Sequence, residues 1–282
     1  AGSFPFVSAD TFRGIADVII EGNRVKRRMP LFPKPVVYFD LTQLENSQTP
    51  APNTRSKGIR QLLELAGSNF GDGILILNNA DTPPSNEELV DLAEAYRHVF
   101  CTNIVVESRK ISAIPVGLEN SYRNTNGVIY SFEKFRSAPS TRKRSERVLA
   151  YFNVGNNETI RTPLARQLAD SRFGWSSKRI DPRRYRSLVK ETKFVISPPG
   201  NGIDCHRTWE AIYLGAIPVV MKDQLADSLV RALPILAVAH YDDFLSLGDD
   251  QLDAIYTELS KVSADRAFMP YWLQKISELT SD

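Results

Sequence analysis

Short, nearly uninterrupted apolar runs alternate with amphipathic stretches along most of the chain, and this alternation restricts the fold more than any other feature. In the first half the runs are 35–40, 73–78, 99–103 and 111–117. Apolar residues fill consecutive positions, as in strands buried on both faces of a parallel sheet, whereas strands with one wet face alternate apolar and polar residues. Between them lie stretches with helical periodicity at 57–66 and 86–97. The second of these opens on Ser85 followed by Glu87 and Glu88, a helix start with acidic residues in its first turn. A second series follows, with strands expected at 148–153, 194–197, 217–221 and 235–239. Helices are expected at 162–169, 183–192, 207–214, 249–263 and 269–279, with Pro163 near the first turn of its helix. Strand and helix in regular succession predict parallel sheets covered on both faces.

Composition divides the two series. Residues 123–147 are polar, and their last third carries a run of basic side chains with few apolar ones. This reads as a linker. A nucleic-acid patch is the alternative, but no aromatics are interleaved with the basic residues. The expectation is an α/β chain with two Rossmann-like domains facing each other across a cleft: residues 1–140, residues 141–265, and a terminal helix over 266–282 that packs back on the first domain. Ligands of such sheets bind beyond the carboxyl ends of the strands, so the loops after Asp40, Asn78, Asn103, Val116, Asn153 and Ser197 are the ones to inspect.

Bulk properties exclude several classes. A net charge of +2 in 282 residues does not by itself indicate nucleic acid or a membrane surface. Two cysteines, Cys101 and Cys205, do not make a disulfide framework and suit a reducing compartment. No apolar stretch approaches the roughly 20 residues that span a bilayer. The first residues lack the basic and apolar regions of a signal peptide, so a soluble, cytoplasmic chain is expected. A removed signal or anchor in a longer parent stays open.

The loop after Ser197 is the richest in chemistry. Pro198, Pro199, Gly200, Asn201 and Gly202 lead through Asp204 into a helix whose first turn holds His206 and Arg207. Glycines permit unusual backbone angles and let main chain approach a ligand. Free N–H groups at the helix start attract an anion, and a guanidinium forks onto phosphate oxygens. Glu210, one turn on, is suited to accept hydrogen bonds from ribose hydroxyls. Together these residues fit a nucleoside diphosphate. The plainer reading is a tight turn followed by a solvated glutamate.

Residues 194–220, running from Phe194 through this loop to Val220, resemble the donor-binding signature of exostosin-like glycosyltransferases of the GT-B type. Relatives of that kind include transferases of large algal viruses that add xylose to capsid glycans. Weaker echoes occur at Asn78 to Asp81, Cys101 to Asn103 and Ile114 to Asn120. The resemblance implies a GT-B-like fold and a metal-independent, inverting glycosyltransferase. Its donor would be a nucleotide sugar, UDP-linked by default and UDP-xylose as a guess. A glycan or glycoprotein would accept the sugar. No nucleic-acid partner, membrane span or further cofactor is implied, and oligomeric state is unspecified. Glu210 would hold the ribose, while Arg207, His206 and the Gly200 to Gly202 backbone would face the phosphates. Asn153 and Arg161 would complete the anion site, with Ser197, Pro199, Asn201 and Asp204 shaping the loop or touching the sugar.

An inverting transfer needs a base for the acceptor hydroxyl. Asp81, in the loop after the strand at 73–78, is the first candidate, and a turn or cap role before Pro83 and Pro84 is its equal alternative. Glu119 and Asp40 follow. His98 and His240 read as ordinary structure, and the acidic pairs Asp242–Asp243 and Asp249–Asp250 as solvated loop carboxylates. A nicotinamide-dependent oxidoreductase would need Gly-x-Gly-x-x-Gly after the first strand, and nothing near Asp40 has that form. A non-catalytic glycan-binding protein on the same scaffold is the remaining alternative.

Overall fold

Two separate sheets organise the chain in the computed structural model, which describes residues 3–22, 24–42, 54–122, 129, 132–133, 144 and 146–281. Residues 1–116 and 268–282 form one compact unit, and residues 117–267 form the other. Most of the stretch read as a linker lies outside the described residues. No helix among the described residues is long and apolar enough to cross a membrane.

The first unit begins with helix α1 (Ala9–Ile15), capped by Ser8, and the hairpin β1 (Val18–Glu21) and β2 (Arg24–Arg27). It continues through β3 (Val36–Asp40), α2 (Thr54–Leu65), β4 (Ile74–Asn78), α3 (Asn86–Ala95), β5 (His98–Cys101) and β6 (Ile111–Ala113). The sheet order is β2-β1-β3-β4-β5-β6, parallel throughout except at β2. Sequence periodicity placed nothing before residue 35. A four-residue apolar strand followed by the charged strand Arg24–Arg27 leaves no pattern long enough to read.

Ser85 and Glu88 start α3 with reciprocal side-chain and backbone bonds. The central strands are wholly buried, as their unbroken apolar runs require. After the second unit the chain returns to the first as α10 (Met269–Ser281), whose Trp272 packs edge-on against Phe12 and Phe100.

The second unit contains β7 (Glu146–Leu149), α4 (Glu158–Asp170), α5 (Pro182–Glu191), β8 (Thr192–Ile196), α6 (His206–Tyr213), β9 (Ile217–Met221), α7 (Asp227–Ala232), β10 (Leu236–Val238), α8 (Tyr241–Leu245) and α9 (Asp249–Leu259). Its four-stranded sheet is parallel, in the order β10-β9-β8-β7. A core of Phe152, Leu164, Phe194, Ile196, Val219, Tyr241 and Phe244 packs α4, α8 and α9 against the sheet.

Two expectations shift here. Helix α4 starts earlier, at Glu158, because Asn157 Oδ1 accepts from Ile160 N–H, and Pro163 lies inside the helix. Asp242 and Asp243 lie in the first turn of α8 rather than in a loop; Asp249 and Asp250 open the helix expected there, all four are exposed, and Asp249 pairs with Arg147 and Arg172.

The direction of winding reverses at β7. The next extended residue, Ser176, bridges Tyr151 just beyond β7, and the later strands β8, β9 and β10 run away on its other side. In open α/β sheets such a switch point opens a crevice at the carboxyl ends of the strands. The loops that border it follow β7 and β8.

Candidate functional site

Chain geometry at the switch point starts with Ser197. Its N–H bonds Val219 O, its carbonyl accepts from Gln224 Nε2, and its hydroxyl lies 2.8 Å from Thr208 Oγ1. The residue is fully buried, and it ties the end of β8 to the first turns of α6.

The Pro198 to Gly202 loop is held from below by Arg161. Only 3% exposed, this arginine donates from Nε to Pro199 O at 2.7 Å, from Nη2 to Pro198 O at 3.2 Å and from Nη1 to Asn153 O at 2.8 Å. Asn157 Nδ2 adds a bond to Gly200 O at 2.9 Å. A Cβ on Gly200 would lie 3.2 Å from Arg161 Nη2. Neither Gly200 nor Gly202 has positive φ, so the close approach of the guanidinium is what favours glycine at 200. Asn153 supplies its carbonyl to Arg161, and its side chain caps Gly155 N–H. Asp204, also buried, accepts the indole N–H of Trp209 on both carboxylate oxygens at 2.8 and 2.9 Å. Asn201 is the exposed tip of the loop.

A second group of side chains is left unsatisfied. Arg207 is half-buried and forms no ion pair among the described residues; its Nε is out of reach of solvent and unbonded, while its guanidinium faces the Tyr185 hydroxyl and Glu210. The Tyr151 hydroxyl, after β7, is buried without a hydrogen bond, that of Tyr185, on α5, is buried with the Arg207 guanidinium beside it, and the two rings lie 6.0 Å apart. Glu210 is 9% exposed, and its carboxylate has no hydrogen-bond partner among the described residues. Burial pushes its pKa up to about 7; Arg207 and Arg186 pull it down less strongly, and Glu119 adds to the rise. Glu119 and Glu210 are thus electrostatic neighbours beside two guanidiniums. Arg186, 2% exposed, lies 4.4 Å over the Phe132 ring. His206 Nδ1 is 2.7 Å from Gly117 O, a carbonyl that only accepts, so Nδ1 carries the proton and Nε2 is the free ring nitrogen.

Buried donors and acceptors are nearly always paired, and an unpaired one costs roughly 1–3 kcal/mol. Arg207 Nε and the Tyr151 and Tyr185 hydroxyls, three buried atoms without a well-formed bond, together with the Glu210 carboxylate mark a place that a polar ligand would complete. The available set is one cation, Arg207, two phenol hydroxyls and one carboxylate. A pocket of about 450 Å³ borders the same loop, lined among others by Thr159, Pro163, Pro199, Ile203, Met221 and Tyr241. Among the described residues no cluster of His, Cys, Asp or Glu could hold a metal ion.

Of the residues the sequence singled out, Arg161, Asn153, Ser197, Pro199, Gly200 and Asp204 build the loop, while Arg207, Glu210 and Glu119 surround the crevice. Asp81 belongs to the first unit, exposed and without a partner among the described residues. Asp40 is engaged: Thr42 N and Oγ1 bond one oxygen and Asn79 Nδ2 the other. His98 is buried against Ser112, and burial beside Lys275 and Lys110 lowers its pKa to about 4. Tyr151, Tyr185, Arg186 and Asn157 had no signal in the sequence. Several arginines crowd α5, and nothing local marks Arg186 as the one that turns inward. No protein-family model matches the chain, and no curated protein does.

Proposed function

We propose that the protein is a glycosyltransferase of the exostosin-like, GT-B kind that moves a sugar from a nucleoside diphosphate to a glycan hydroxyl, with inversion and without a metal. The observation that carries this reading is the buried Glu210, whose carboxylate has no hydrogen-bond partner among the described residues, beside Arg207, whose Nε has none, at the switch point. A ribose diol offers two donors to the carboxylate, and a diphosphate offers anionic oxygens to the guanidinium. The resemblance of residues 194–220 supports the same assignment.

In the transfer, the acceptor oxygen bonds to the anomeric carbon as the bond from that carbon to the diphosphate oxygen breaks. The electron pair and negative charge leave on the nucleoside diphosphate, facing Arg207. The hydroxyl proton passes to a carboxylate, for which Asp81 is the first candidate and Glu119 the second. Exposure and the lack of a partner among the described residues suit Asp81 to that role.

Titration calorimetry with UDP and UDP-xylose, followed by an assay for UDP released with and without glycan acceptors, tests the proposal. Saturable nucleotide binding with slow sugar-nucleotide cleavage is expected. Failure to bind any nucleoside diphosphate sinks it, and binding without turnover on any donor favours the non-catalytic alternative.

A further inference from the structure

On the first unit, strand β2 lies at the edge of the sheet, all four of its residues exposed, and runs on into a loop that ends at Lys34. Residues 24–34 carry Arg24, Lys26, Arg27, Arg28 and Lys34 and no acidic side chain. Nearby carboxylates answer only part of this charge: Glu21 pairs with Arg13 and Lys26, and Asp72 with Lys34 and Arg97. Arg24, Arg27 and Arg28 have no carboxylate partner among the described residues. In a chain of net charge +2 this is a local concentration of positive charge.

Charge on an edge strand alone prevents edge-to-edge pairing. It does not account for the apolar residues in the same segment. Met29 is 88% exposed and Leu31 65%, with Val25 also exposed. These side chains are held outward by a fixed loop. The buried Asp17 bonds Arg28 N through its carbonyl, and Leu31 N and Val36 N through its carboxylate. Pro30, Pro33 and Pro35 stiffen the same stretch. A pinned, proline-rich loop that presents two large apolar side chains within a basic rim complements an anionic bilayer: the cations meet lipid phosphates while the apolar tips enter the acyl boundary. A second copy of the surface would bring like charges together, and nucleic acid would have no use for the apolar tips.

We infer that the strand and loop from Arg24 to Lys34 form a docking surface for an anionic membrane, with Met29 and Leu31 as the inserting residues. The test is co-sedimentation of the full chain with phosphatidylcholine vesicles with and without phosphatidylserine. Binding is expected only to the anionic vesicles, and to weaken as salt rises. Both Met29→Ser/Leu31→Ser and Arg24→Glu/Arg27→Glu should lower vesicle affinity at least about tenfold. Lys178→Glu/Arg179→Glu, the same charge change at exposed sites on the second unit, should leave it unaltered. Circular dichroism establishes that each variant is folded. No binding at low salt, or binding that survives the loop variants, overturns the inference. So does tighter binding to single-stranded DNA that ignores Met29→Ser/Leu31→Ser.

Discussion

Replacing Glu210 by glutamine should make the protein more stable and its nucleotide binding weaker, two effects of opposite sign from one atom. The carboxyl titrates ordinarily at 4.5 and is raised to about 7 in the fold, burial being the main cause. Between these values the folded state holds a proton that the unfolded state has lost, so stability falls as pH rises through this window. Each pH unit of difference is about 1.4 kcal/mol. The full interval is therefore worth about 3 kcal/mol, present below pH 4.5 and gone above pH 7. Glutamine keeps the shape without the titration, so Glu210→Gln should match wild type near pH 4.5 and exceed it by about 2–3 kcal/mol at pH 8. In binding, the exchange replaces an ionised acceptor by a neutral amide. Loss of charge-assisted bonds to a ribose costs about 1.5–3 kcal/mol, or roughly a ten- to hundredfold drop in affinity for UDP. Urea unfolding of both proteins at pH 5 and pH 8, with calorimetry at pH 8, measures both quantities. Parallel stability profiles would refute the electrostatic argument, and unchanged affinity would remove Glu210 from the ligand.

Arg161→Met should cost about 3–5 kcal/mol in urea unfolding, because three buried carbonyl contacts lose a charged donor; a loss under about 1 kcal/mol contradicts its role as the clamp of the loop. Asp204→Ala should cost about 2 kcal/mol by stranding the Trp209 N–H, and Asp204→Asn should recover more than half of that. Equal losses in the two variants would show that the indole bond is not what matters. Glu21 is held down to about 2, first by its bond to Arg13 and then by Lys26, so its contribution is present above pH 4.5 and lost as pH falls toward 2. Glu21→Gln should accordingly cost about 1–2 kcal/mol at pH 7 and nothing near pH 2 in guanidinium unfolding; a difference independent of pH is the contrary result. Asp81→Asn should remove transfer while leaving UDP affinity as it was, and near-normal turnover eliminates Asp81 as the base.

The α/β alternation was legible because strands buried on both faces must be continuously apolar: residues 217–221 coincide with β9, and 73–78 differs from β4 by one residue. Strand β2 was illegible for the converse reason, being exposed and charged along its whole length. At the site, the glycines and cations of Pro198 to Arg207 singled out the loop that joins β8 to α6. Assigning tasks among those residues was beyond local pattern. Arg161 and Arg207 both fall in the first turn or so of a helix, and either would serve as a phosphate ligand on paper. Which is used internally depends on what long-range packing sets opposite them. Helix α4 passes beneath the loop, so Arg161 meets three carbonyls, while α6 turns Arg207 toward the hydroxyl of Tyr185 and the carboxylate of Glu210.

That division of labour has an energetic logic. The loop is built from saturated polar groups: every donor on Asn157 and Trp209 that shapes it has found an acceptor, and Arg161 spends three of its five on the loop and on Asn153. Such a loop keeps its form whether or not a ligand is present, so little ordering remains to be done on binding. The crevice beside it is built the other way, from groups left short of hydrogen bonds among the described residues. A carboxylate that folding destabilises and an arginine with an unbonded Nε lower the stability of the free protein, and on the proposed reading a ligand that supplies a diol and an anion would restore what folding left undone. Rigid framework and unsatisfied contact residues must be encoded by different amino acids, because one side chain cannot both saturate the loop and remain available. Arg161 with Asp204, and Arg207 with Glu210, are those two sets.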